Sequence, residues 1–182
     1  MSVSVIIPTY QRPTLLERAI ASVRAQSVPV ELVVVEDETP RSDYPADAHD
    51  FWCVKGVPPR NIGLDRATGD WVLTIDDDDE LAPNAIERLL AATEGNDVAY
   101  GRSHVVGHGF LGSSPPAHSS FCNGAVLWRA DMGYRFRMEC PPTPADWDLW
   151  SRMLADSKRW TFVDEVVHYY YPAERIPAVS AA

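Results

Sequence analysis

Lysine is nearly missing from this chain: two of 182 residues, Lys55 and Lys158, against fourteen arginines. With 26 acidic residues the net charge is −10. Such a balance repels phosphate backbones and excludes general nucleic-acid binding as the function. Cysteine is scarce as well. Cys53, Cys122 and Cys140 are odd in number and widely spaced, which excludes a disulfide framework and a zinc motif and predicts reduced, buried thiols. No apolar run approaches the ~20 residues that cross a membrane. No charged segment precedes a long apolar stretch at the N-terminus, so no signal peptide is expected. The chain reads as soluble and cytoplasmic. Glycine-rich phosphate loops are missing too: there is no GxGxxG and no GxxxxGK[ST]. A bound nucleotide would need something other than a glycine-rich helix start to meet its phosphates. That argues against a dehydrogenase or a P-loop NTPase.

What is present is an ordinary globular composition, 46% hydrophobic and 23% charged, of a length that suits one domain. Val3–Pro8 and Val30–Glu36 are short, β-branched and apolar, the pattern of strands covered on both faces. Between them, Leu15, Leu16, Ala19, Ile20 and Val23 recur at helical spacing, with Pro13 suited to a first turn, predicting a helix over Pro13–Gln26. This β-α-β opening predicts a parallel α/β sheet. Further strands are expected at Phe51–Lys55, Asp70–Ile75, Val98–Val106, Phe121–Trp128 and Trp160–Tyr171. Helices are expected at Arg60–Ala67, Pro83–Thr93 and Pro144–Leu154. Loops are expected at Thr39–Asp50 and, from its Gly and Pro content, at Gly107–Ser120. No repeat or linker divides the chain, so one domain is expected over residues 1–182, with functional halves at about 1–95 and 96–175.

Five consecutive acids, Asp76, Asp77, Asp78, Asp79 and Glu80, follow directly after the strand Asp70–Ile75. Adjacent carboxylates repel, so the run costs energy unless a cation or solvent relieves it. Ligands of parallel α/β sheets bind beyond the carboxyl ends of the strands. A carboxylate cluster there suits Mg²⁺ or Mn²⁺, which take oxygen ligands and share them with phosphates. The alternative is a solvated acidic turn that favours the dipole of the helix after it. Two more strands end in polar residues, one in Pro8-Thr9-Tyr10 and one in Glu36-Asp37. Three such ends around one crevice would place Tyr10 to stack on a base and Asp37 to accept a hydrogen bond from its ring N–H.

SVIIPTYQRPTLLERAIASVRAQ with ELVVVEDETP resembles the opening of family 2, GT-A-fold glycosyltransferases. RNIGLDRATGDWVLTIDDDDEL resembles that family's approach to its DxD motif, and FCNGAVLWRA and ADWDLWSRM resemble its acceptor-side segments. The resemblance runs from about Val3 to Tyr171. It implies a GT-A α/β fold, with a mostly parallel central sheet flanked by helices. It further implies an inverting, metal-dependent transfer from a nucleotide-diphosphate sugar, UDP-type in most relatives, to an acceptor hydroxyl. By that match Pro8, Thr9, Tyr10 and Asp37 hold the base, while Arg60 and Asn61 lie near the nucleotide or diphosphate. Asp76 and Asp78 are the two acids of DxD: Asp76 lies toward the ribose with Asp77 beside it, and Asp78 is the metal ligand for Mn²⁺ or Mg²⁺. Asp76, Asp79 and His168 are alternative ligands. Asp146 matches the catalytic base, with Asp148 a competing candidate. Ala145 stands where relatives often carry Glu, which weakens any inference about the acceptor. A glycan, a lipid-linked sugar, a protein, a small molecule and a modified base all remain open as acceptors. Two other readings are a non-catalytic nucleotide-sugar or carbohydrate-binding module and a sugar nucleotidyltransferase. The second would need a glycine-rich loop that PTYQRP lacks.

Overall fold

The computed structural model describes residues 1–37, 57–116, 122–138 and 144–172. The strand expected at Phe51–Lys55 and the loop at Thr39–Asp50 lie outside these residues, as do Cys53 and Cys140. Cys122 is a free thiol, half-buried rather than buried.

The first half alternates strand and helix: β1 (Val3–Thr9), α1 (Pro13–Arg24), β2 (Glu31–Glu36), α2 (Val57–Arg66), β3 (Trp71–Thr74), β4 (Glu80–Leu81) and α3 (Ala85–Ala91). The second half adds β5 (Val98–Val105), β6 (Gly109–Leu111), β7 (Val126–Arg129), α4 (Ala145–Ala155) and β8 (Trp160–Tyr170). One sheet takes strands from both halves in the order β2-β1-β3-β7-β5-β8-β4, with β6 on β5. β2-β1-β3 and β5-β8 are parallel, as expected, while β7, β4 and β6 join antiparallel, so the sheet is mixed. Because β7 is antiparallel to both β3 and β5, strands β1, β2, β3, β5 and β8 all point the same way. Their carboxyl ends form one edge.

The apolar runs in β1, β3 and β7 reflect cover on both faces; β2, expected to be covered likewise, lies at the sheet edge with Val35 buried and Val34 exposed. Val3, Val5 and Ile7 of β1, Trp71 and Leu73 of β3, and Leu127 of β7 pack with Ala19 and Val23 of α1 and Ala85, Ile86 and Leu89 of α3. The intervening Ile6, Val72, Val126 and Trp128 pack on the opposite face with Val57 and Leu64 of α2 and Leu149, Trp150 and Met153 of α4. Trp150 is nearly perpendicular to Trp128 and Trp160, at 5.2 and 6.2 Å between ring centroids, an edge-to-face geometry that suits the ring quadrupoles.

Two stretches differ from expectation. Within Gly107–Ser120, β6 folds back on β5 through a turn in which His108 N–H donates to Val105 O at 2.9 Å, with Gly107 and Gly109 at φ of +84° and +109°. Their positive φ is what glycine allows, so the glycines that suggested a loop make a hairpin. Within Phe121–Trp128, a 3₁₀ turn over Asn123–Ala125 precedes β7.

At the opposite edge Asp97 ties together the starts of β5 and β8 and the end of the antiparallel β7. Its carboxylate accepts Arg159 N–H at 2.9 Å and two guanidinium N–H groups at 3.1 and 2.9 Å, and its carbonyl accepts Arg129 N–H at 3.1 Å. The Arg159 hydrogen bonds pull the Asp97 carboxyl from its usual 3.8 down to about 2. A depressed folded pKa stabilises the fold above the unfolded value and loses that contribution as pH falls through the folded one. Asp97→Asn is therefore expected to be less stable than wild type at pH 7 in urea melts. The gap should narrow as pH falls from about 4 toward 2. A gap independent of pH over that range would rule out the ion pair as its source.

Candidate functional site

β1 and β2 stop level with one another, Thr9 opposite Glu36, while β3 ends opposite Ile6 of β1. Ile75 N–H donates to Ile6 O at 3.0 Å, and beyond the end of β2, Asp37 N–H donates to Thr9 O at 2.7 Å. Pro8, Thr9 and Asp37 are buried and Tyr10 is half-buried. From the same end of β1, Thr9 Oγ1 donates to Asp77 Oδ2 at 2.7 Å. The sequence-predicted residues at the three strand ends are thus one hydrogen-bonded unit, outside the carboxyl ends where ligands of such sheets bind.

The acidic run makes a turn in which Asp79 N–H donates to Asp76 O at 3.2 Å. It is not a solvated turn. Asp77, Asp78 and Asp79 are only 1, 2 and 3% exposed. Buried carboxylates are tolerated only with partners, and each has one. Arg60 on α2 pairs with Asp76. Arg12, in the turn between β1 and α1, bridges Asp77 and Asp78, reaching Asp78 Oδ2 at 2.8 Å. Arg18 on α1 donates to Asp78 O at 2.6 Å, pairs with Glu80 at 3.1 Å, and lies over the Tyr171 ring at 4.2 Å. His168 on β8 holds Asp79, with Nε2 3.2 Å from Oδ2, while Tyr171 N–H donates to Asp79 Oδ1 at 3.1 Å.

Burial pushes the Asp77 carboxyl above its usual value, with Thr9 and Arg12 pulling it back. For His168 burial acts downward, but the Asp79 carboxylate overrides it and holds the imidazole up at about 10. His168 faces Asp79 through Nε2, and its other nitrogen, Nδ1, lies 3.1 Å from Ser103 Oγ. The close oxygens belong to Asp76, Asp78 and Asp79, one from each lying within 4.8 Å of the others. An all-carboxylate set of this kind suits a hard divalent ion.

The remaining predicted residues are placed differently. Asn61 faces residue 136, giving Nδ2–H to Phe136 O and accepting Phe136 N–H, both at 2.9 Å. It pins the segment against which the Arg60 guanidinium rests, 5.6 Å from the Phe136 ring. Asp146 is half-buried in the first turn of α4, its Oδ1 accepting Trp147 N–H at 2.8 Å. Asp148, the competing candidate, is held by Arg152 at 3.0 Å and Arg137 at 3.6 Å. Arg152 also donates to Arg135 O at 2.7 Å, so α4 and α2 grip the same short segment.

Arg12 and Arg18 were not singled out from sequence. The signal was available: five consecutive acids at a strand end demand cations, and Arg12 lies two residues beyond Tyr10, at the neighbouring strand end. Asn123 is a further buried residue beside the acids. Its Oδ1 accepts Thr74 Oγ1–H at 2.8 Å at the end of β3.

The family model described as Glycosyl transferase family 2 matches residues 4–147. A GalNAc(5)-diNAcBac-PP-undecaprenol beta-1,3-glucosyltransferase of Campylobacter jejuni is 31% identical over 123 residues, 59% of this chain and 40% of that protein. A dolichol-phosphate mannosyltransferase of Pyrococcus furiosus is 31% identical over 141 residues, 70% of this chain and 40% of that protein. This chain thus spans about 40% of the length of these curated relatives. Among solved structures, S. aureus TarS 1-349 in complex with UDP superposes with a TM-score of 0.73 at 20% identity, over 94% of this chain and 60% of that one. The mannosyltransferase PcManGT from Pyrobaculum calidifontis in complex with GDP-Man and Mn²⁺ gives 0.65 at 16% identity, over 95% and 57%. The fold is that of the GT-A glycosyltransferases, and among the described residues no helix is long and apolar enough to cross a membrane.

His168 is wedged beneath the acidic turn by a glycine. A Cβ on Gly124 would stand 2.4 and 2.5 Å from its Cδ2 and Nε2 and 3.1 Å from Ile75. Gly124→Ala is expected to lower stability by about 1–3 kcal/mol, the usual cost of overpacking, measured by urea unfolding. A loss below about 0.5 kcal/mol, the ordinary range for an uncrowded surface change, would show that the imidazole steps aside and that the Asp79–His168 pair is not fixed.

Proposed function

This chain belongs to glycosyl transferase family 2, and on that premise we propose that it moves a sugar from a nucleotide-diphosphate donor to an acceptor hydroxyl. One observation carries the reading: Thr9 joins the end of β1 to an acidic turn whose Asp76, Asp78 and Asp79 oxygens lie close together. This supports a single crevice for base, ribose and diphosphate. A UDP-type donor is favoured because TarS, similar in fold, has been captured with UDP and with UDP-GlcNAc.

In this reading Pro8, Thr9, Tyr10 and Asp37 receive the base, with the Tyr10 ring to stack on it. Asp76, paired with Arg60, faces the ribose with Asp77 behind it. Asp78 is the principal ligand of Mn²⁺ or Mg²⁺, with Asp76 and Asp79 in reach; His168 acts through Asp79. Bound there, the divalent ion supplies Lewis-acid stabilisation of the charge that builds on the leaving diphosphate. Asn61 acts at one remove by fixing the segment that supports Arg60.

The nucleophile needs a separate group. An acceptor hydroxyl must lose its proton as it attacks the anomeric carbon. Asp146 is the residue for this: it is half-buried in the first turn of α4, whereas Asp148 is buried. Attack from the face opposite the diphosphate inverts the anomeric centre. In this arrangement residues 1–95 hold the donor and 96–175 the acceptor.

Thermal unfolding with UDP- and GDP-sugars, with and without Mn²⁺, tests the reading. A metal-dependent rise in Tm is expected for at least one donor, and no rise with any donor would sink it. Asp78→Asn should abolish the metal-dependent part of the rise. Asp146→Asn should keep the rise while slowing turnover by roughly 10²–10⁴-fold, the usual contribution of a positioned general base. Unchanged turnover would remove Asp146 from that role. A wild type that binds donors but transfers to no acceptor would instead be a nucleotide-sugar-binding module.

A further inference from the structure

The three guanidinium groups around the acidic turn are not equivalent. Arg60 meets Asp76 through a side chain only 13% exposed. Arg18 gives one N–H to a backbone carbonyl and another to Glu80. Arg12 bridges two aspartates, Asp77 and Asp78, and its side chain is 28% exposed over carboxylates exposed by 1 and 3%. Its Nη1–H occupies Asp78 Oδ2 at 2.8 Å, and Asp78 belongs to the set of close carboxylate oxygens whereas Asp77 does not.

A divalent ion and Arg12 therefore claim the same carboxylate. Two cations on one aspartate repel strongly in a site shielded from water. That repulsion falls if a diphosphate arrives and offers the guanidinium an anion of its own, which suits the planar fork of arginine. Arg12 has an anchor for such a change. Its other nitrogen holds Asp77, and Thr9 fixes the far oxygen of Asp77 at 2.7 Å. The guanidinium can release Asp78 without leaving the site.

We propose that Arg12 couples metal binding to nucleotide binding, competing with a divalent ion for Asp78 until a diphosphate draws its guanidinium away. This rests on the nucleotide-sugar reading above. It makes Arg12 a positioning residue for the metal ligand, and it makes the ion and the nucleotide bind as partners. The two are linked reciprocally: whatever factor UDP adds to Mn²⁺ affinity, Mn²⁺ adds to UDP affinity.

The test is calorimetric titration of the whole chain with Mn²⁺, with and without UDP, on wild type, Arg12→Gln and Arg12→Lys. In wild type, UDP is expected to tighten Mn²⁺ binding by about tenfold or more, within the usual range of coupling between sites. Arg12→Gln should bind Mn²⁺ alone about fivefold or more tighter than wild type, with the UDP coupling reduced to a small factor. Arg12→Lys, which keeps a charge, should stay near wild type for Mn²⁺ alone. Arg12→Gln that binds Mn²⁺ no tighter than wild type, or that keeps the full coupling, overturns the proposal. So does Arg12→Lys binding Mn²⁺ as tightly as Arg12→Gln. If Arg12→Gln does not fold, the wild-type and Arg12→Lys titrations still decide it, since wild-type Mn²⁺ affinity unmoved by bound UDP also overturns it. Wild type that binds Mn²⁺ but neither UDP nor any nucleotide-sugar is a different result, and it overturns the donor reading itself.

Discussion

The structure around the site answers one electrostatic constraint: four aspartates in succession, three of them almost wholly removed from water. Carboxylates packed in this way cannot remain ionised on their own. At an effective dielectric of about 20, two like charges 4 Å apart repel by about 4 kcal/mol, and desolvation adds to that. The chain meets the constraint with fixed cations drawn from four elements. Arg60 comes from α2, Arg12 from the β1–α1 turn, Arg18 from α1 and His168 from β8. The near-absence of lysine fits this demand. A guanidinium can bridge two carboxylates with a rigid fork, as Arg12 does, where an ammonium offers only a point charge.

The sheet order makes that supply of cations available. An entirely parallel β2-β1-β3 unit would present the acidic turn at an open edge. Inserting β7 antiparallel beside β3 brings β5 and β8 back in the parallel sense, so that β8 also ends at the ligand edge. His168 and Tyr171 then reach Asp79 from more than eighty residues away in the chain. β4, two residues long, runs directly from the acidic turn and pairs with β8 through Glu80–Tyr169 and Leu81–His168. The acid and its counter-charge are thereby held by the same ladder.

Much of the fold is legible in the residues. Strands covered on both faces read as unbroken apolar runs, and β1 and β3 fall close to VSVIIP and DWVLTI; β2 falls close to VELVVVE, although at the sheet edge only its Val35 is buried. Helix ends drift by one to three residues, because terminal turns are set by tertiary contacts more than by composition. The β5–β6 hairpin is not legible as strand, since glycines at positive φ carry the same composition as a loop. The site divides in the same way. Thr9, Asp37 and the acidic run are readable because strand ends gather at one edge whatever the details. Arg12, Arg18 and the true partner of Asn61 are not. Which arginine meets which acid depends on side-chain reach in three dimensions, and no spacing in the sequence encodes that.

His168 shows why the distinction matters for chemistry. A histidine near an acidic cluster reads equally well as a ligand or as a structural group when only the sequence is known. Its surroundings are Ser103 on one nitrogen, Asp79 on the other, and Gly124 leaving no room for a side chain beside the ring. Complete burial would normally strip the imidazole of its proton, yet the Asp79 carboxylate retains it. The charge on His168 thereby lies against one oxygen of Asp79, while Tyr171 N–H donates to the other. A carboxylate fixed by such partners beside two neighbouring ones is the kind of oxygen set that suits a hard cation. β8, late in the chain, thus helps to fix the acidic turn that follows β3, and the two stretches depend on each other through this one pair.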